Sequence, residues 1–273
     1  MRGVREHRDD RVQYCGSWFS AASGLPLQGG LTCPRRLARL MAAALRRPWR
    51  LAALVVLLLR TRQEHVLLSG SRAGQALRVY FDQCSLGVFP QNRLCRGVLL
   101  LPQEHAAYLR GRHRQALRTN LRRAVAAGIR CDVMTDMCEV YDALGDVLRG
   151  RVELLADDEL RTAVSDFGAL FARPETTVTL ARDDRGLPLA IAGVIIDDVV
   201  CLIRVAVARS HDARWALHDY LVRMLIDRGV RYLVAEGGGP FGALGLETNV
   251  HHYQRLLGYE LRHVIRVEVV CSG

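Results

Sequence analysis

Residues 190–268 carry the pattern that most restricts how this chain can fold. Two apolar runs, LAIAGVIIDDVVCLIRVAVARS and VRYLVAEG, flank DARWALHDYLVRMLIDRG, whose apolar residues recur at helical spacing. Two apolar strands joined by an amphipathic helix form a crossover unit, and such a crossover joins parallel strands. The glycine-rich loop GGPFGALG follows, and NVHHYQRLLGYELRHVIRVEVV closes the unit with a short helix and a final strand. Everything upstream must pack on this unit or tether it.

Just before it, TTVTLAR, the turn DDRG and LPLAIAGVIID read as a β-hairpin, and Asp197-Asp198 turns the chain into VVCLIRVAVARS. Residues 135–172 read as two helices: Val140, Leu144, Val147 and Leu148 line the first, and Leu160, Val164, Phe167 and Leu170 the second. Arg173-Pro174 ends the stretch. HVLLSG, ALRVYF and RGVLLLP read as strands, and Gln103 to Gly128 as helices with Gly128 as the stop. The 273 residues hold one α/β domain over 63–273, a mixed sheet flanked by helices, behind an N-terminal helical extension.

The extension has two parts. Residues 1–34 show no period and read as disordered or as preceding the true start, for which Met41 is an alternative. Residues 35–62 pair an arginine-rich amphipathic helix with LAALVVLLL. That run is far below the about 20 apolar residues a membrane span needs. Two readings stay open for it: a helix lying on an anionic membrane surface, or one packed on the domain with a solvated arginine face.

Every basic side chain other than histidine is arginine, and the formal net charge is +10. Arginine keeps its proton and grips phosphate or carboxylate in a fork, so the surface favours anionic partners. Arg114, Arg118 and Arg122 stand four apart in GRHRQALRTNLRRAVAAGI and define one helical stripe. Like charges at that spacing cost about 0.2–0.5 kcal/mol per pair. The stripe is either a solvated face or one that meets an anion. The eight cysteines form no C-x-x-C pair and read as small buried thiols of a reducing cytosol, with no metal site.

The element order from 176 to 270 resembles the GNAT acyltransferase superfamily. YQRLLGYEL resembles its late aromatic-x-x-x-x-Gly-aromatic signature, and the helix after VAVARS stands where these enzymes hold a cofactor pyrophosphate. RQALRTNLRRAVAAGI is similar to a pattern of the Fem-type branch, which moves aminoacyl groups from tRNA. The chain departs from the usual R/Q-x-x-G-x-G/A at the helix start. Aligned on Ala216, His211 stands first and Arg214 replaces the glycine, while Asp212 reads as the helix cap. Fem-type enzymes also lack the glycine loop, but they usually carry two such domains.

The resemblance implies the chemistry. Arg204, Ala206, Val207 and Ala208 would present backbone donors to an acyl carbonyl. His211, Arg214, Trp215 and Ala216 would hold an acyl-CoA donor, Glu236 would be the base and Tyr253 the leaving-group acid. Acyl transfer to a small-molecule or peptide amine is then the expected activity, in the cytoplasm or at the inner membrane face. Charged tRNA as donor, or an inactive ligand- or membrane-binding relative, are the alternatives. Ser210-His211-Asp212 cannot act as a triad, because neighbours in sequence cannot line up in that order.

Overall fold

A computed structural model describes residues 61–82, 84–85, 89–90, 96–150, 157–235 and 248–267. The expectations for 1–34, for nearly all of 35–62, for Glu236 and for the glycine loop from Gly237 lie outside these residues. In chain order the elements are β1 (Gln63–Leu67), α1 (Arg72–Asp82), β2 (Cys84–Ser85), β3 (Phe89–Pro90), β4 (Arg96–Leu100), α2 (His105–Tyr108), α3 (Gln115–Ala126) and β5 (Arg130–Met134). They continue with α4 (Met137–Arg149), α5 (Asp157–Phe171), β6 (Thr176–Arg182), β7 (Pro188–Ile196), β8 (Val200–Ala208), α6 (His211–Asp227), β9 (Tyr232–Ala235), α7 (Thr248–Leu257) and β10 (Glu260–Val267).

Eight strands form one mixed sheet in the order β1-β10-β4-β9-β8-β7-β6-β5. β8 and β9 run parallel, joined by α6. The closing unit is not contiguous in the sheet, however. β4 lies antiparallel between β9 and β10, through Val98↔Val234 on one side and Glu260↔Val98 on the other. An upstream strand therefore completes the centre of the unit instead of packing on its outside. Leu99 and Val98, each at most 1% exposed, show why: the strand is apolar on both faces and needs a central place.

One expected strand is a helix. ALRVYF lies in α1, which starts after Ser71, whose hydroxyl accepts from the Gly74 N–H at 3.0 Å. Leu77, Tyr80 and Phe81 fall one helical turn apart and all bury against the sheet. The β1–α1 loop is latched to the β7–β8 turn by Asp197, which is 4% exposed. Its carboxylate accepts from the Ser69 N–H at 2.8 Å, from the Ser69 hydroxyl, and from the Ser71 hydroxyl at 3.1 Å.

Alternate strand residues divide the core. α1, α4 and α5 cover one face through Val98, Leu202, Val205 and Val207, while α6 and α7 cover the other through Leu99, Cys201, Leu233 and Tyr253. Alanines 190 and 192 meet Ala213 and Leu217, so α6 packs close to the sheet there. α3 lies outside α6 and stops at Gly128, whose φ of 69° suits a residue without a Cβ. The expected helical residues Val140, Leu144, Val147 and Leu148 are all fully buried in α4.

Candidate functional site

The β8–β9 ladder runs from Val200↔Tyr232 to Ile203↔Ala235, its last described rung, while β8 continues to Ala208 along β7. On the β7 side the register shifts: Val194 faces Ile203, but Gly193 faces Val205. Arg204 is thus the extra residue of a β-bulge. The bulge keeps Val205 and Val207 on the α4–α5 face and turns Ala206 and Ala208 toward α6. Arg204 itself points to the α1 side, its guanidinium carbon 4.8 Å from the centre of the Tyr80 ring. Arg96 of β4 approaches the same ring at 5.5 Å. Two cations therefore gather beside the end of β9.

The start of α6 lies on the opposite face. Asp212 is not the helix cap; Ser210 is, its hydroxyl accepting from the Ala213 N–H at 3.3 Å. Ser210 takes the extended backbone a cap needs, which leaves Asp212 inside the first turn. There Asp212 lies 3.4 Å from His211 Nδ1 and 3.9 Å from Arg123 Nε. The Trp215 indole N–H donates to His211 Nε2 at 3.3 Å. Both imidazole nitrogens thus have partners within the protein, and burial lowers the His211 pKa.

Tyr253 of α7 is held from two sides. The Arg214 guanidinium stacks on its ring at 3.7 Å, and Trp215 meets it edge-on at 4.8 Å. Its hydroxyl donates to the Arg214 carbonyl at 3.3 Å. Burial raises its pKa, so the phenol keeps its proton. Tyr253 and Trp215 share one apolar cluster with Ala235 and Ile203, the residues of the last described β8–β9 rung.

The three residues of the arginine stripe do not act together. Arg118 donates to the carbonyls of Leu109 and Gly111 at 2.6 and 2.8 Å, closing the turn before α3. Arg114 turns inward, 4.9 Å above the Tyr108 ring, and only Arg122 is exposed. Ala216 is half-buried. Sequence reasoning missed His218 and Tyr108. His218 Nε2 lies 3.0 Å from the Tyr259 hydroxyl, and burial beside Arg114 and Arg214 pushes its pKa down to about 3. The spacing of His218 one turn after Arg214 was the available signal. Among the described residues no group of His, Cys, Asp and Glu could hold a metal ion, and no helix is long and apolar enough to cross a membrane.

No protein-family model matches the chain, and no curated protein does. Solved structures do show similar backbones. The C-terminal DUF2156 domain assigned to a lysylphosphatidylglycerol synthetase of Agrobacterium fabrum is 14% identical, with a TM-score of 0.44 over 62% of this chain and 57% of that one. L-PGS from Bacillus licheniformis is 10% identical, with a TM-score of 0.45 over the same shares. The aminoglycoside 6′-N-acetyltransferase AAC(6′)-Ih of Acinetobacter baumannii is 14% identical, at 0.35 over 51% of this chain and 97% of that one. At this level the likeness concerns the course of the backbone and nothing of the chemistry. The fold is a mixed sheet whose parallel pair β8–β9 is bridged by α6 and flanked by helices on both faces, the arrangement that the resemblance to the GNAT superfamily implies.

Proposed function

We propose that the chain is an acyltransferase that moves an acyl group from acyl-CoA to an amine. One observation carries this reading: the β-bulge at Arg204 interrupts the β7–β8 pairing in the centre of the sheet, and Tyr253 shares an apolar cluster with Ile203 beside it. Main-chain groups from Arg204 to Ala208 would hold the acyl carbonyl. Glu236, which follows β9 directly, would accept the amine proton, and the protonated Tyr253 would supply one to the leaving thiolate. In this structure the Tyr253 hydroxyl donates to Arg214, so turnover requires that bond to open.

Titration calorimetry with acetyl-CoA tests the donor: the reading expects saturable heat, and its absence at millimolar ligand rejects CoA. With an amine acceptor, Tyr253→Phe and Glu236→Gln should each abolish most turnover. Full activity in both variants rejects the assigned roles.

A second reading, aminoacyl transfer from charged tRNA, is favoured by a separate observation. His105 to Cys131 contains seven arginines and no acidic residue, and Arg110, Arg112, Arg122 and Arg123 of this stretch are exposed. Such a surface would bind tRNA with steep salt dependence. Equal retention of tRNA at low and high salt counts against it. Binding to the inner membrane face through 35–62 is read by flotation of the chain with anionic vesicles, with and without that segment.

A further inference from the structure

Trp215 lies near the start of α6, packed against α7, and is 2% exposed. An indole N–H can only donate, and a buried one needs an acceptor. The acceptor here is His211 Nε2 at 3.3 Å, one helical turn back. This contact fixes the tautomer of the imidazole. Nε2 holds the lone pair, so the proton is on Nδ1, the nitrogen that faces Asp212 Oδ1 at 3.4 Å. Asp212, His211 and Trp215 thus form a directional relay. Its far end is the edge-on contact of Trp215 with the Tyr253 ring at 4.8 Å. Arg214 stacks on the same ring at 3.7 Å.

The relay holds only while the imidazole is neutral. A second proton must go to Nε2, and an imidazolium has two donors and no acceptor. The buried Trp215 N–H would then face another N–H. The His211 side chain is partly exposed, so protons reach it from solvent. The charged groups that face it are Asp212 and Arg214 on its own helix and Arg123 of α3. Burial, with the two arginines, favours the neutral form, and Asp212 opposes them. With both nitrogens engaged inside the protein, the imidazole is poorly placed to hold a cofactor phosphate.

We propose that His211 is a positioning residue: its neutral imidazole fixes Trp215, and through Trp215 the ring of Tyr253, and protonation at Nε2 releases both. The link to turnover rests on the acyl-transfer reading, whereas the coupling of His211 to Trp215 does not.

The test uses the full chain labelled with ¹⁵N at the tryptophan indoles. The three tryptophans give three indole resonances, and Trp215→Phe identifies the one that matters. Between pH 8 and 5 the Trp215 resonance should shift in one step, with its midpoint below about 6.5. His211→Gln puts an amide oxygen in place of the acceptor and does not titrate, so its Trp215 resonance should stay still. A resonance that does not move in the unaltered protein, or that still moves in His211→Gln, overturns the coupling. Steady-state kinetics with acetyl-CoA and an amine read the second link. His211→Leu, which has no acceptor, should lower kcat about two- to tenfold, the worth of one edge-to-face ring contact, with KM for acetyl-CoA moving less. His211→Gln should recover part of that loss. A change confined to KM would make His211 a donor-binding residue and overturns the positioning role. A protein that shows the Trp215 titration but transfers no acyl group rejects the acyl-transfer reading and keeps the His211–Trp215 coupling.

Discussion

The Arg114 guanidinium occupies the space in which a side chain at position 258 would stand. The two residues belong to the two motifs that carried the family resemblance, far apart in sequence, and the fold brings them into contact. Tyr108 reinforces the junction by donating to the Leu257 carbonyl at 3.4 Å. The glycine of the late signature is thus required for its φ of 85°, and the movable tip of Arg114 lies against it.

Gly258→Ala should therefore destabilise the fold by about 1–3 kcal/mol, the usual penalty for a side chain in this backbone region plus its collision. Urea denaturation measures it. Arg114→Ala in the same chain should recover part of the loss, since it removes the collision and leaves the backbone strain. Full additivity of the two changes would contradict the contact.

Acid should weaken the fold through His218. Its pKa is about 3 in the folded chain against an ordinary value near 6.5, so the unfolded state binds the proton first. The contribution is complete above the unfolded pKa and is lost as pH falls from there toward 3, with a slope of about 1.4 kcal/mol per pH unit. Denaturation midpoints between pH 7 and 5 should fall less in His218→Gln than in the unaltered protein. Parallel pH profiles would show that His218 already titrates normally when folded.

Asp197→Ala should cost about 2–3 kcal/mol, because it leaves Ser69 and Ser71 donors without their acceptor beneath the β1–α1 loop. Thermal melts measure the loss, and proteolysis should cut first near residues 69–71. A melt unchanged by the substitution would mean that the latch contributes nothing.

Tyr253→Phe should lower stability by only about 1 kcal/mol, the net worth of one hydrogen bond to Arg214. The ring contacts with Arg214 and Trp215 remain. A large loss of turnover with this small loss of stability separates a chemical role from a packing role. Denaturation and steady-state kinetics on one preparation give both numbers.

Local pattern made much of this fold legible. The hairpin β6–β7, the unit β8–α6–β9 and the stop at Gly128 follow from periodicity and turn chemistry that act within a few residues. ALRVYF misled because its alternation also satisfies a helix, and only the Ser71 cap and the sheet surface beneath Leu77 and Phe81 decide between the two. β4 is apolar throughout, so its place between β9 and β10 depends on partners that sequence order conceals. At the site, Arg214 and Trp215 pack on the Tyr253 ring, whereas the stripe of Arg114, Arg118 and Arg122 divides. Helical spacing places side chains on one face but does not say which of them fold back onto their own loop.

The insertion of β4 has a consequence for biosynthesis. The ribosome releases Arg96–Leu100 well before β9 and β10 exist, so this strand emerges with both of its hydrogen-bonding edges bare and two apolar faces wet. Until β9 and β10 are made, neither edge of this strand has its partner in the sheet, and it is open to self-association in that interval. Fragments that begin after it would lack the plank that joins the two halves of the sheet.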